Sequence, residues 1–129
     1  MLVEDNPADA MLVREALEEH HVRGELILIA DGESAVDYME QMDHMPNECP
    51  DLAIIDLNLP KRSGREVLAA ARLSNKCRQM PIVILSSSDA TQDREDSMRL
   101  GASRYIPKPS RLEEFLDLGR TFKAMAGSA

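Results

Sequence analysis

The chain has 129 residues, of which 43% are hydrophobic and 29% are charged, a composition typical of one ordinary globular domain. A formal net charge of −8, from 23 acidic and 15 basic residues, argues against a domain that grips nucleic acid by its phosphates. No apolar stretch approaches the roughly 20 residues needed to cross a bilayer, and the N-terminus lacks the pattern of a signal peptide, so we expect a cytoplasmic protein.

Short apolar runs predict β-strands, and they alternate with stretches that have helical spacing. Asn6-Pro7 is a good helix start, because Asn caps helices and Pro suits the first turn. The second helix is predicted to reach Pro46-Asn47, and the fourth to stop at Gly101. The predicted strands are residues 1–3, 26–30, 52–55, 82–85 and 105–106, and the helices begin at Asn6-Pro7, Asp31-Gly32, Ser63-Gly64, Ala90 and Leu112.

Strand and helix alternate five times, which predicts an α/β fold with a parallel sheet covered by helices on both faces. The first strand has only residues 1–3 before Glu4-Asp5, so we expect native residues to precede Met1. No second domain is expected. The domain is predicted to occupy residues 1–126, and residues 127–129 to form a short C-terminal tail.

Four of the predicted strands end in polar or charged side chains. Glu4-Asp5 follow the first strand, Asp56 follows the third, and Ser86 and Lys108 follow the fourth and fifth. Each of these residues alone has an ordinary explanation as a helix cap, a turn former or a surface lysine. Because the carboxyl ends of parallel strands meet at one edge of a sheet, we expect these side chains to lie together.

Carboxylates that lie close together repel one another unless a cation joins them. Asp5 and Asp56, with the backbone carbonyl of Asn58, would suit Mg²⁺, a hard cation that prefers oxygen ligands. A carboxylate beside Mg²⁺ can accept a phosphoryl group as an acyl phosphate, which makes Asp56 the candidate acceptor. Lys108 would hold a phosphoryl oxygen, and the Ser86 hydroxyl could turn toward the same group.

A set of short motifs runs through the chain in order: Glu4-Asp5-Asn6, Asp56 with Leu57-Asn58-Leu59-Pro60 and Gly64, Ser86-Ser87, Gly101-Ala102, Tyr105 and Lys108-Pro109. Together they closely resemble the receiver domains of two-component response regulators. The resemblance covers essentially the whole chain, and it implies a doubly wound, flavodoxin-like sheet of five parallel strands in the order 2-1-3-4-5. It also implies a phosphoprotein that serves in a phosphorelay.

In a receiver domain of this kind, Asp56 would accept the phosphoryl group from a histidine kinase. The resemblance assigns Asp5, Asp56 and the Asn58 carbonyl to Mg²⁺, and Glu4 with Asp5 to the acidic pocket. Lys108 would contact the phosphoryl group. We expect no enzymatic activity beyond the domain's own phosphorylation and dephosphorylation.

The resemblance makes Ser86 and Tyr105 a switch pair. Phosphorylation would draw the Ser86 hydroxyl toward the phosphoryl group and turn the Tyr105 ring inward, which would re-shape the face of the fourth helix, fifth strand and fifth helix. Ser86 stands where the family more often has Thr. The Lys108–Pro109 bond is a candidate cis peptide by the same resemblance, and Pro107 removes a backbone donor just after the fifth strand.

Longer stretches of the chain, at residues 4–9, 31–35, 56–61 and 64–68, are most similar to the single-domain regulators associated with bacterial phytochrome kinases. This narrower resemblance implies a phytochrome-type histidine kinase as one partner and a downstream protein or phosphotransfer protein as another. It also implies a homodimer formed through the last strand and helix. No nucleic-acid or membrane partner is expected.

The cysteines and histidines show no metal-binding spacing. A disulfide between Cys49 and Cys77 is disfavoured by the cytoplasmic placement, so both are expected to be free thiols. His20, His21 and His44 are expected on the solvated surface, the first two at the end of a helix.

Three alternative functions stay open. A phosphatase of the haloacid dehalogenase type also places Asp after an apolar strand, but it needs a second acid two residues on, where this chain has Asn58. A flavin-binding flavodoxin-like module needs a phosphate-cradling loop where Glu4-Asp5 would repel phosphate. A degenerate receiver would bind partners without phosphorylation, although every group needed for phosphorylation is present here.

Overall fold

The computed structural model describes residues 1–46 and 48–127. A parallel sheet of five strands runs through its middle in the order β2-β1-β3-β4-β5. The predicted α/β fold and its strand order are therefore confirmed. The strands are β1 Leu2–Val3, β2 Leu28–Ile29, β3 Ala53–Ile55, β4 Ile82–Ser86 and β5 Arg104–Pro107. The helices are α1 Pro7–Glu19, α2 Gly32–Met42, α3 Gly64–Leu73, α4 Thr91–Arg99 and α5 Leu112–Ala126.

Side-chain caps fix where three of the helices begin. Asn6 Oδ1 accepts from the Ala8 backbone N–H at 2.9 Å, Asp31 caps α2, and Ser63 caps α3. These starts agree with the sequence prediction. The end of α2 differs from the prediction, because the helix stops at Met42. Asn47, which is part of the predicted end, lies outside the described residues.

Asp43 supplies the physical reason for the early end of α2. Its carboxylate accepts the Ser74 hydroxyl at 2.6 Å and the backbone N–H groups of Asn75 and Lys76 at 3.1 and 3.0 Å. These donors belong to the loop after α3. They hold the carboxylate of Asp43, which is the first residue after α2. They also hold the pKa of Asp43 below its usual value, chiefly through the bond from Ser74.

The two faces of the sheet pack against different helices. Ile55 and Ile84 point toward α2 and α3, where they meet side chains such as Leu68. Their strand neighbours Ile54 and Leu85 point the other way, into a cluster with α1 and α5. Burial on both faces is what makes these strands continuous apolar runs. The predicted core positions of Phe115 and Phe122 in α5 are confirmed.

The helix α4 is only thinly buried, as its polar sequence predicts. Of its residues only Ser97 is buried, and it lies beside β5. The last residue of β5 is Pro107, which pairs with Ser86 in the ladder. The sequence predicts Pro107 just after β5, but it is the last residue of that strand. A proline is tolerated there because β5 is an edge strand.

Two sequence predictions about covalent geometry are wrong. All peptide bonds among the described residues are trans, including Lys108–Pro109; trans is the isomer that X–Pro bonds favour by about 0.5–1 kcal/mol. Cys49 and Cys77 form a disulfide, with their Cα atoms 5.6 Å apart. Cys49 precedes β3 and Cys77 precedes β4, and these strands are neighbours, so the loops that enter them meet at the same edge. Sequence spacing alone does not reveal that proximity.

Within the described part of the chain, no helix is long and apolar enough to cross a membrane.

Candidate functional site

Three carboxylates converge where β1 and β3 end. Val3 and Ile55 are register partners, so the residues that follow them, Glu4 and Asp56, emerge side by side. The Asp56 backbone N–H donates to the Val3 carbonyl at 3.0 Å, which fixes this placement. One carboxylate oxygen from each of Glu4, Asp5 and Asp56 lies within 4.8 Å of the others. The sheet therefore brings together the three acids that the sequence predicts.

The three acids differ in their exposure. Glu4 is 3% exposed and Asp56 is 6% exposed, whereas Asp5 lies on the surface. Two nearly buried carboxylates need a cation or hydrogen-bond donors to compensate for lost hydration. The exposed Asp5 leaves one side of the cluster open to solvent, so a metal ion or a substrate has access from that side.

Lys108 supplies the cation from the protein itself. Its backbone N–H donates to the Ser86 carbonyl at 2.7 Å, which positions it directly after β5. Its ammonium nitrogen lies 2.9 Å from Glu4 Oε1, 3.2 Å from Asp56 Oδ2 and 2.8 Å from Asp9 Oδ2. The structure thus joins Lys108 to two of the predicted acids and adds one that the sequence analysis did not select.

Asp9 is the missed residue in this cluster. It lies in the first turn of α1, and its side chain is 25% exposed. From sequence it reads as a helix-favouring acid at a helix N-terminus, which needs no further explanation. The only signal that could have revealed its role is spatial, because Lys108 lies 99 positions later in the chain.

The electrostatics of the cluster favour a cationic lysine. Burial raises the pKa of Glu4 to about 7; the bond from Lys108 opposes this effect, and the charge of Asp56 adds to it. Burial alone would lower the pKa of Lys108, but hydrogen bonds to Asp9 and Glu4 and the charge of Asp56 outweigh it and raise the pKa above the ordinary lysine value. The ammonium therefore stays charged throughout the neutral range.

The donor set of the acid cluster fits a hard divalent cation. Glu4, Asp5 and Asp56 offer only carboxylate oxygens, which Mg²⁺ and similar ions prefer and softer metals do not. Asn58 lies beside the cluster, since its backbone N–H donates to Asp56 Oδ1 at 3.3 Å. This bond turns the chain back toward Asp56 directly after β3. The cluster is thus suited to divalent metal binding.

Ser86 and Tyr105 are joined through Ser88. Ser86 is fully buried, and its hydroxyl oxygen accepts the Ser88 backbone N–H at 3.2 Å. The Tyr105 hydroxyl donates to the Ser88 carbonyl at 2.7 Å, and the residue is 7% exposed. The Tyr105 ring therefore faces inward, with its hydroxyl held by the loop after β4. The guanidinium of Arg94 lies 5.4 Å from the centre of the ring.

Arg65 and Asp93, neither of which was predicted as a site residue, join α3 to the first turn of α4, and Ser88 connects the loop after β4 to the same pair. Arg65 Nη2 pairs with Asp93 Oδ1, and the Ser88 hydroxyl donates to the other oxygen of Asp93. These bonds hold the pKa of Asp93 below its usual value, the Ser88 bond being the largest cause. The segment between Ser86 and α4 is thus held at both ends by polar contacts.

Gly64 allows α3 to begin directly against the segment that carries Asp56. Its backbone N–H donates to the Leu57 carbonyl at 2.9 Å. A Cβ on Gly64 would overlap the Asp56 carbonyl oxygen and lie 2.7 Å from the Leu57 Cα, below the 3.0 Å that real Cβ atoms keep. Only glycine fits this close approach.

The fold and this edge define a class of protein, a doubly wound α/β domain with an acidic pocket and a lysine at the carboxyl ends of its strands. The family model described as the response regulator receiver domain matches residues 1–119. The chain belongs to this family, the phosphoacceptor domain of two-component systems, and the predicted family and function are confirmed.

The relatives agree with this assignment. The response regulator Rcp1 of Synechocystis sp. (strain ATCC 27184 / PCC 6803 / Kazusa) is 35% identical over 119 residues, which cover 92% of this chain and 81% of Rcp1. A solved structure of the phosphorylated cyanobacterial phytochrome response regulator RcpA is 36% identical, with a TM-score of 0.87 and coverage of 98% of this chain and 91% of that one. The Mn²⁺-bound form of Rcp1 is 33% identical, with a TM-score of 0.83 and coverage of 95% and 89%.

Proposed function

We propose that Asp56 is the phosphoacceptor of this receiver domain. A carboxylate oxygen of Asp56 attacks the phosphorus of a phosphohistidine on a kinase, the bond from phosphorus to the histidine nitrogen breaks, and that nitrogen keeps the electron pair. The product is an acyl phosphate on Asp56. The observation that carries the proposal is the contact of the nearly buried Asp56 with Lys108, at the open edge of the sheet.

Mg²⁺ is the metal that we propose for the cluster, held by Asp5, Asp56 and the backbone carbonyl of Asn58, with Glu4 completing the acidic pocket. When bound, it would offset the negative charge of the transferred phosphoryl group. The Mn²⁺-bound form of the relative Rcp1 supports a divalent ion in this family. The all-oxygen donor set of this chain supports a hard one.

Lys108 and Ser86 are the residues that we propose to read the modification. The Lys108 ammonium already lies 3.2 Å from Asp56 Oδ2, so a phosphoryl oxygen on Asp56 comes within its reach. The buried Ser86 hydroxyl, if it turns to the phosphoryl group, changes its contact with the Ser88 N–H. Ser88 also holds Tyr105 through its carbonyl. Phosphorylation would therefore shift the population of the inward Tyr105 ring rather than create it.

The partners that we propose are proteins. The relative RcpA is described as a phytochrome response regulator, which supports a phytochrome-type histidine kinase as the donor. The face of α4, β5 and α5 would bind a downstream protein, a phosphotransfer protein or a second copy of the chain. Light scattering that reports a monomer with and without beryllofluoride would rule out the proposed homodimer. We propose no catalysis beyond the phosphorylation and dephosphorylation of the domain.

The extent and location of the domain are also proposals. We assign residues 1–126 to the receiver domain, because α5 runs to Ala126. Gly127, the first residue of the proposed tail, caps the C-terminal end of α5. Residues 128–129 lie outside the described residues. The compartment that we propose is the cytoplasm.

Intact-mass analysis tests the proposed function. The protein is incubated with a small phosphodonor such as acetyl phosphate, with Mg²⁺ or with a chelator. We expect one phosphoryl group per chain with Mg²⁺, none with the chelator, and none in Asp56→Asn. Asp51→Asn is the matched control, because Asp51 is exposed and precedes the same strand. Equal labelling of Asp56→Asn would rule out this acceptor, and a folded wild-type protein that takes no label would be a degenerate receiver.

A further inference from the structure

The ammonium of Lys108 has three N–H donors, and three carboxylates surround it. Of the three contacts, the one to Asp56 is the longest at 3.2 Å, while those to Glu4 and Asp9 are 2.9 and 2.8 Å. The Lys108 side chain is only 11% exposed, so water has little room to replace a lost partner. The orientation of this ammonium therefore depends on which carboxylates hold it.

The two shorter contacts of Lys108 are not equivalent. Glu4 belongs to the carboxylate cluster that would face a bound divalent cation, and such an ion competes with Lys108 for the Glu4 oxygens. Asp9 is not among the acids of that cluster. When the metal site fills, Asp9 is the partner of Lys108 that remains outside it.

The backbone fixes Asp9 on the α1 side of the lysine. The N-cap residue Asn6 accepts the Asp9 backbone N–H at 3.3 Å, which holds the first turn of α1 in place. From there, Asp9 Oδ2 reaches the Lys108 nitrogen at 2.8 Å. The lysine is thereby held between a helix and the strand ends, with a contact to Asp56 on its other side.

We propose that Asp9 is a positioning residue for phosphoryl transfer, which holds the Lys108 ammonium so that one N–H points at the Asp56 oxygens. The proposal rests on the proposed phosphorylation of Asp56 and goes further by assigning a role to a residue outside the acidic pocket. Asp9 does not touch the phosphoryl group in this account. It acts only through Lys108.

The consequence of losing Asp9 follows from the charges that remain. Without Asp9, the partners of the ammonium among the described residues are Glu4 and Asp56, and a bound cation draws on both. The Lys108 ammonium is then no longer held in one direction. It therefore stabilises less well the transition state, in which charge develops on the phosphoryl oxygens. A charge-assisted hydrogen bond corresponds to roughly a tenfold or larger effect on the rate.

The experiment measures the rate of phosphorylation by intact mass at saturating Mg²⁺ and acetyl phosphate, so that weaker metal or donor binding does not enter. Asp9→Asn keeps the shape of the side chain and removes its charge. Glu15→Gln is the matched control, because Glu15 is an exposed acid on the same helix. We expect Asp9→Asn to be about tenfold slower than wild type, Glu15→Gln to be unchanged, and Asp9→Glu to recover part of the rate.

A double-mutant cycle separates positioning from a general charge effect. In a Lys108→Ala background, Asp9→Asn should cause no further loss of rate, because the residue through which Asp9 acts is gone. Thermal melts of each variant confirm that it is folded before its rate is compared. A folded Asp9→Asn protein that is labelled as fast as Glu15→Gln would overturn the proposal, and so would an equal loss with and without Lys108. A wild-type protein that takes no label at all would instead refute the phosphorylation of Asp56 and, with it, this role.

Discussion

Gly64→Ala is the substitution whose effect the structure defines most directly. The added methyl group would overlap the Asp56 carbonyl oxygen and lie 2.7 and 2.9 Å from the Leu57 Cα and the Asp56 carbonyl carbon. All three atoms are backbone, so relief requires the Asp56 segment or the start of α3 to move. Overpacking of this kind costs about 1–3 kcal/mol, and the higher helix propensity of Ala returns at most about 1 kcal/mol.

We therefore expect Gly64→Ala to lower the free energy of unfolding by about 1–2 kcal/mol, which is about 4–8 °C in the midpoint of a thermal melt for a domain of this size. Because the displaced atoms carry Asp56, the rate of phosphorylation by acetyl phosphate with Mg²⁺ should fall as well. The two assays are circular dichroism on heating and intact-mass labelling over time.

Gly119→Ala is the matched control for Gly64→Ala. Gly119 lies in α5, where a Cβ would overlap the Ala16 carbonyl oxygen and lie 2.8 Å from the Ala16 carbonyl carbon. This clash is of the same kind but falls between α1 and α5, away from Asp56. It should destabilise the fold to a similar degree and leave the labelling rate of the folded protein unchanged. A Gly64→Ala protein that melts like wild type, or that is labelled as fast as Gly119→Ala, would refute the reasoning.

Three further predictions follow from the site and its surroundings. Because burial raises the pKa of Glu4 to about 7, the metal-free folded protein binds a proton that the unfolded chain releases, so its stability in urea should fall as pH rises from about 4.5 to about 7. Glu4→Gln should flatten this dependence, and an unchanged slope would contradict it. Lys108→Ala should keep some phosphorylation but lose the change in amide exchange across residues 86–125, and a normal exchange response would contradict its role. The disulfide closes a segment of 28 positions, so Cys77→Ser should lower the free energy of unfolding by about 3.6 kcal/mol. A reductant should lower the stability of the wild-type protein by a similar amount and leave that of the variant unchanged.

The fold was predictable because its signals are local. The apolar runs of β3 and β4 and the caps at Asn6 and Ser63 each act within a few residues, and short right-handed connections then fix a parallel sheet. The acid pair and Asp56 were found for the same reason, since each directly follows a strand. The sequence therefore predicted those site residues that directly follow strands.

The remaining parts of the site depend on contacts between distant segments. Asp9 meets Lys108 across 99 positions and Arg65 meets Asp93 across 28, and no short motif marks either pair. Asp43 ends α2 early for a similar reason, because its partners lie in the loop after α3. The predicted cis bond at Lys108–Pro109 came from resemblance and not from any physical signal in the sequence. Such features require the packed structure.

The central claim is that Asp56 itself becomes an acyl phosphate. Borohydride reduces an acyl phosphate of aspartate to homoserine and releases phosphate, and peptide mapping then locates the converted residue. After treatment with acetyl phosphate and Mg²⁺, the account predicts homoserine at position 56 in the wild-type protein and nowhere in Asp56→Asn. Homoserine at another aspartate, or a phosphorylated wild-type protein with position 56 unconverted, would contradict it.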